Sequence, residues 1–330
     1  MKISTAKNLI KIYLENKKPY LLVGQPGIGK TDIVKQACQE IGIDLVISHP
    51  VVSDPTDYKG LPFVVNGQAE FLPFADLVKL IDAKKPLVCF FDDLGQAANS
   101  VQAAIMQLLL AREINGKKIS DHVVFCAATN RKQDQAGVSG LIEPVKSRFY
   151  AIIEIDLDLT DFINYGIENN FDSSLLAFAK FKPEYLDFIP SKEIKPSICP
   201  RTFEFLNNAL QFPNIKIDLD LIESISGRSF ALEFISFRQI LSSLPNLQDI
   251  IQGKQVKFDF EPSIIYTVII ALIKKLDHSN VENCFKWVEN LHIEFQSLFV
   301  SLALNNRPDV LTVSKSYTSW LVKNQSVNNF

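Results

Sequence analysis

Through the first 155 residues, short uninterrupted apolar runs alternate with stretches in which apolar positions recur every three or four residues. The runs Tyr20 to Val23, Leu45 to Ser48, Leu87 to Phe91, Val123 to Ala128 and Ala151 to Ile155 are nearly all apolar, which predicts strands covered on both faces. Helical spacing predicts helices over about 5–16, 30–41, 74–82 and 99–112; in the last, Val101, Ile105, Leu108 and Leu109 share one stripe. Strands separated by helices imply a parallel sheet in an α/β domain. Two Asn-Gly dipeptides interrupt the alternation, Asn66-Gly67 within Leu61 to Leu72 and Asn115-Gly116 within Arg112 to Ile119. Asn-Gly favours a two-residue hairpin turn, so two hairpins are predicted to project from the sheet without joining it.

After about residue 157 the β pattern fades, and prolines at 183, 190, 196, 200, 213, 245 and 262 punctuate helical stretches. The domains predicted are an α/β domain at 1–156, a small helical domain at 157–212 and a helical C-terminal region at 213–330. In the last, Phe285, Val288, Leu291, Phe295, Leu298 and Leu302 recur at helical spacing and predict one packed core helix.

Composition narrows the classes. With 330 residues, 47% hydrophobic and 22% charged, the chain can bury a core without disulfide or metal staples and is not dominated by disorder. The longest largely apolar stretch, Ile264 to Ile273, has ten residues, against the roughly 20 of a membrane span, and reads as a buried helix. A net charge of -3 provides no global field for nucleic acid, and residues 213–330 are nearly balanced, with 11 basic and 12 acidic. The five cysteines lie at least 37 residues apart, so none forms a short-spaced zinc or redox pair. An amphipathic rather than apolar beginning completes the reading of a reduced, cytoplasmic protein with no membrane association.

The sharpest chemical signal is Gly24-Gln25-Pro26-Gly27-Ile28-Gly29-Lys30-Thr31, which fits G-x-x-x-x-G-K-[ST] between a strand and a helix. Glycines let backbone N–H groups turn inward around a β-phosphate, and the helix N-terminus adds partial positive charge. Lys30 then reaches the β- and γ-phosphates, and the Thr31 hydroxyl is a ligand for Mg²⁺. The strand Leu87 to Phe91 ends in Asp92-Asp93. Asp92 is expected to hold Mg²⁺ directly or through its shell, and Asp93 to orient and activate the attacking water.

Thr129-Asn130 follow the next strand, and the Asn130 amide can hydrogen-bond both a γ-phosphate and the water. Asn130-Arg131-Lys132-Gln133-Asp134 lacks the N-K-x-D spacing that reads guanine, so ATP is the expected nucleotide. Arg148 stands just before the last predicted strand, at the rim of the domain, where it can complete a neighbouring subunit's site as an arginine finger. Arg201 begins a predicted helix and can close onto the same phosphates.

In this order the motifs resemble the AAA+ ATPases, and within them the MoxR-like group, also called dynein-related AAA type 5. The resemblance covers about residues 15–210. It rests on Gly24 to Thr31, on Asp54-Pro55-Thr56-Asp57-Tyr58-Lys59-Gly60 running into Leu61-Pro62, and on Asp92-Asp93, Asn130, Arg148 and Pro200-Arg201. It implies an AAA+ P-loop sheet domain with β-hairpin insertions at Phe63 to Phe71 and Ile114 to Ile119, followed by a helical lid. It also implies Asn130 as sensor 1, Arg148 as arginine finger and Arg201 as sensor 2. Asp93 stands where the family usually has Glu, a departure that bears on hydrolysis rate and not on nucleotide binding.

By the same resemblance, ATP hydrolysis with Mg²⁺ drives a self-assembled ring, usually of six subunits, that remodels a client protein in a chaperone-like way. A partner with a von Willebrand factor type A domain is often associated with the group. Two alternatives stand beside this reading. One is a motor subunit of a nucleic-acid-processing complex, for which Lys117-Lys118 is the candidate basic pair; the other is a nucleotide-gated scaffold with negligible hydrolysis.

Overall fold

The computed structural model describes residues 1–134, 140–191, 193–214, 216–240, 244–257 and 260–324. They form two compact units, one of Met1–Asp158 with Phe188–Lys192 and the other of Leu159–Asp187 with Glu193–Phe330.

The first unit runs α1 (Ile3–Glu15), β1 (Tyr20–Gly24), α2 (Lys30–Ile41), β2 (Asp44–Ser48), α3 (Thr56–Lys59), β3 (Leu61–Val65), β4 (Gln68–Leu72), α4 (Asp76–Asp82) and β5 (Leu87–Phe91). It continues through α5 (Asn99–Ala111), β6 (Glu113–Ile114), β7 (Lys117–Lys118), β8 (Val123–Asn130), α6 (Glu143–Lys146) and β9 (Ala151–Ile155). Five of these strands make a parallel sheet in the order β2-β5-β8-β1-β9. β3–β4 and β6–β7 are separate antiparallel hairpins on the two Asn-Gly turns.

Alternation along the interior strands distributes side chains to two faces. Leu21, Cys89, Phe91 and Phe125 join one core cluster with Leu94, Ile105 and Leu108. Tyr20, Leu22, Val88, Phe90 and Cys126 join the other with Ile10, Ile33 and Val34. Complete burial of a side chain such as Phe90, at 0% exposure, contributes roughly 1.5–3 kcal/mol. Coverage on both faces does not extend to β9. It is an edge strand, and Ile152 is 56% exposed.

β8 continues two residues past its apolar run, through Thr129 and Asn130, because Val23 and Gly24 of β1 pair beside them. That register, with Phe91 opposite Ala127, brings the ends of β1, β5 and β8 to one edge of the sheet.

The second unit is helical among its described residues: α7 (Leu159–Glu168), α8 (Ser173–Phe181), α9 (Pro200–Leu210), α10 (Leu219–Ser226), α11 (Arg228–Ile240), α12 (Leu247–Ile251), α13 (Pro262–Lys274), α14 (Val281–Val288), α15 (Ile293–Asn306), α16 (Pro308–Leu311) and α17 (Lys315–Lys323). Proline opens α9, α13 and α16 at their first turns, where the missing N–H has no acceptor to lose. Phe178, Phe203, Phe230, Phe234 and Phe237 form an aromatic core of largely edge-to-face contacts. α13 buries Ile264, Ile265, Val268, Ile269, Ile270, Leu272 and Ile273, as its apolar run requires.

The single core helix expected from Phe285 to Leu302 is two helices. Its apolar residues do face the core, with Phe285, Val288, Leu291 and Leu302 buried. However, the chain tightens into Asn290 N–H to Trp287 C=O and Leu291 N–H to Val288 C=O bonds, which end α14. Gln296 of α15 then donates to the carbonyls of Glu289, 3.0 Å away, and Leu291, 2.8 Å away.

All five cysteines are buried free thiols. Among the described residues no helix is long and apolar enough to cross a membrane.

Candidate active site

The loop between β1 and α2 is shaped by its glycines. Gly27 and Gly29 take φ of 73° and 98°, a left-handed backbone that side chains with a Cβ rarely adopt. Gly29 is the N-cap of α2 and offers no side chain to cap it, so the first N–H groups of the helix are left for a bound anion. Gly24 answers a different constraint, because a Cβ there would stand 3.1 Å from the Ile155 carbonyl oxygen of β9.

Lys30, only 7% exposed, arches back over the loop. Its Nζ donates to the carbonyls of Gly24 and Gln25, both at 3.0 Å, and to Asn130 Oδ1 at 2.6 Å. Asn130 uses its other end to donate from Nδ2 to Asp93 Oδ1 at 3.2 Å. One amide thus spans the lysine of the loop and the second carboxylate of β5.

Beside this chain, Thr31 Oγ1 donates to Asp92 Oδ2 at 2.6 Å. Asp92 is fixed by its own N–H, which donates to Ser48 C=O of β2 at 2.9 Å. A hydroxyl and a carboxylate oxygen side by side suit Mg²⁺, which uses one or two protein ligands and completes its octahedron with phosphate oxygens and water. The described residues fit nucleotide and metal together: an inward-curled loop, a buried ammonium and two hard oxygen donors at one edge of the sheet. Among them no group of three or more His, Cys, Asp and Glu converges as a separate metal site.

Asp93 itself has φ 54° and ψ 34°, left-handed. Asp and Asn are the non-glycine residues that adopt this region most readily, because their short polar side chains hydrogen-bond locally. The backbone therefore explains why a shorter acid stands at this position.

Gly24 to Thr31, Asp92, Asp93 and Asn130 are brought together; Arg148 is not with them. It lies between α6 and β9, and two residues on, Tyr150 N–H donates to the Pro19 carbonyl at the start of β1, 2.8 Å away. That places its backbone at the opposite edge of the sheet from Gly24, a strand's length away, about 16 Å at about 3.3 Å per residue. Its Nη1 donates to Ser147 Oγ at 3.1 Å, while its buried Nε has no hydrogen-bond partner among the described residues. Arg201 is the exposed second residue of α9 in the second unit.

Two residues near the site carry more than their sequence pattern suggested. Gln25, an unspecified position of the loop motif, is 3% exposed and accepts from the Phe188 N–H at 3.4 Å. Gln102, within a helix treated as packing, is 0% exposed and fully hydrogen-bonded. Its signal was a polar residue three positions before Ile105, on the apolar stripe of α5.

Residues 20–157 match the model of the ATPase family associated with various cellular activities (AAA). No protein with a curated description matches the chain. Among solved structures it is similar to the Thermotoga maritima RuvB Holliday junction branch migration motor, at 16% identity over 82% of this chain and 80% of that one, with a TM-score of 0.44. It is also similar to NtrX from Brucella abortus, at 13% identity over 91% of this chain and 67% of that one, with a TM-score of 0.42. The parallel five-stranded sheet with its flanking helices and the helical region that follows make an AAA+ P-loop fold. AAA proteins generally hydrolyse ATP with a divalent metal, usually Mg²⁺, and commonly assemble as hexameric rings.

Proposed function

We propose, from an AAA domain over residues 20–157, that this chain is an Mg²⁺-dependent ATPase that works as a ring of six subunits and remodels a protein client. The observation that carries the proposal is the Lys30–Asn130–Asp93 chain beside the Thr31–Asp92 pair. In it the Lys30 ammonium offsets phosphate charge, Asn130 orients the attacking water, and Asp93 accepts its proton at a carboxylate oxygen. Thr31 and Asp92 hold Mg²⁺, which when bound neutralises charge building on the phosphate oxygens. The backbone N–H groups after Gly29 cradle the β-phosphate.

Arg148, at the far edge of its own sheet, serves the site of the next subunit, so that turnover depends on assembly. Arg201 is assigned the sensor 2 role in the same scheme, in a lid at 157–212 that precedes the C-terminal region at 213–330. The MoxR-like grouping, the cytoplasmic location and a von Willebrand factor type A partner belong to this proposal by resemblance.

A protein client is favoured over nucleic acid by the β3–β4 hairpin, where Leu61 and Phe63 on one face are 39% and 53% exposed, and Val64 and Phe71 on the other are 78% and 46% exposed. Apolar side chains exposed on both faces of a projecting hairpin suit contact with a protein. The Asn115 amide of the other hairpin donates to the carbonyls of Lys59 and Phe71, so the two insertions are tied.

Steady-state ATP hydrolysis against protein concentration, with mass measured on the same samples, tests the proposal. Turnover that rises cooperatively as the ring forms is expected. A ring that assembles with ATP and client yet never turns over would leave the nucleotide-gated scaffold as the reading.

A further inference from the structure

Gln102 of α5 sits between two segments that the proposed chemistry uses separately. Its Nε2 donates to Ala97 C=O at 3.1 Å and to Gly140 C=O at 3.0 Å, and its Oε1 accepts from Ile142 N–H at 3.0 Å. Both N–H groups and the carbonyl of the amide are therefore engaged, at a position with 0% exposure. Nothing but an amide satisfies all three partners: a carboxylate cannot donate, and an apolar side chain leaves three buried backbone groups unpaired.

What these partners belong to gives the contact its meaning. Ala97 closes the tight turn that starts at Asp93, through Gln96 N–H to Asp93 C=O and Ala97 N–H to Leu94 C=O. Ile142 is the N-cap of α6, and Arg148 is held by the end of that helix through its N–H to Val145 C=O at 3.1 Å. A further backbone bond, Gly140 N–H to Gly95 C=O at 3.3 Å, joins the same two segments. The path from Asp93 to Arg148 is thus continuous: one turn, one buried amide, one short helix.

We infer that Gln102 is a positioning residue for the arginine that each subunit presents to its neighbour, tying the Arg148 segment to the loop that carries the subunit's own Asp93. The inference rests on the proposed in-trans role of Arg148. Gln102 touches no reacting group, so its effect is read in the neighbour's site.

Mixed rings separate this role from simple structural support. An Asp93→Asn subunit has a disabled site but an intact Arg148, and an Arg148→Ala subunit has the reverse. Mixing them should restore turnover in sites formed between the two kinds. Placing Gln102→Met in the Asp93→Asn subunit should then lower the restored turnover at least fivefold, with ATP affinity of the ring within about twofold. Gln102→Asn, which keeps the amide's donors and acceptor on a side chain one methylene shorter, serves if the methionine variant does not fold, and an intermediate loss is expected of it. Restored turnover unchanged by either variant, in rings of normal mass, would overturn the inference and leave the in-trans arginine standing. No restoration in the parent mixture would overturn the in-trans reading, and the inference with it.

Discussion

Exchanging Asp93 for Glu tests whether the shorter acid is a defect or a fit. Asp93 holds φ 54° and ψ 34°, and the left-handed region costs an ordinary L-residue roughly 1–2 kcal/mol, part of which an Asp recovers through local hydrogen bonding. Glu forfeits much of that recovery, so Asp93→Glu should destabilise the first unit by about 1 kcal/mol. The added methylene also moves the carboxylate by roughly one C–C bond, about 1.5 Å. That breaks the contact from Asn130 Nδ2, now 3.2 Å from Asp93 Oδ1, a bond to a charged group worth about 1.5–3 kcal/mol.

If about half of that interaction is expressed in the transition state, turnover falls roughly 3- to 12-fold at about 1.4 kcal/mol per decade. The assay is kcat at saturating ATP, with ATP affinity and thermal unfolding measured on the same preparation. Asp93→Asn is the control: it retains the left-handed preference, so stability should stay within about 0.5 kcal/mol while turnover drops at least about 100-fold with the lost base. A Glu variant faster than the native chain would refute the reasoning and show that Asp93 limits hydrolysis.

Lys30→Ala removes the ammonium held by Gly24, Gln25 and Asn130, and ATP affinity should fall at least about 100-fold, about 2.7 kcal/mol, in a titration with a fluorescent nucleotide. Tight binding retained in that variant would defeat the site assignment. Arg148→Ala should leave ATP affinity within about threefold and lower turnover by about 10³, with little change in thermal stability because among the described residues its side chain donates to Ser147 Oγ alone. Undiminished turnover would remove the in-trans role. Arg201→Ala should lower turnover about tenfold or more in the assembled ring at saturating ATP, and native kinetics would remove it from the scheme.

Local chemistry made much of the first unit legible. Asn66-Gly67 and Asn115-Gly116 specify their own turns, and both hairpins form on them. The interior strands announce themselves because burial on both faces demands continuous apolar runs. What escaped depends on partners outside the run being read. β8 extends to Asn130 because β1 lies beside it, and the stripe from Phe285 to Leu302 breaks because Gln296 caps α14 from the next helix. In the site, the motif spacing indicated which residues share the sheet edge. It did not indicate the left-handed Asp93, which a strand-end aspartate does not advertise, or Gln102, whose three partners come together only in the folded chain.

The buried thiols carry a practical consequence. Burial pushes Cys38 up to about 11 and Cys284 up to about 12, and raises Cys89 and Cys126 as well. The thiolate is the form that reacts, so at neutral pH these groups are slow toward maleimides, and Cys199 is shielded by its burial. A single cysteine introduced at Val64, 78% exposed on the β3–β4 hairpin, is then the preferred labelling position in the native chain. A dye attached there would report on what the hairpin meets without first stripping the molecule of its own sulfur.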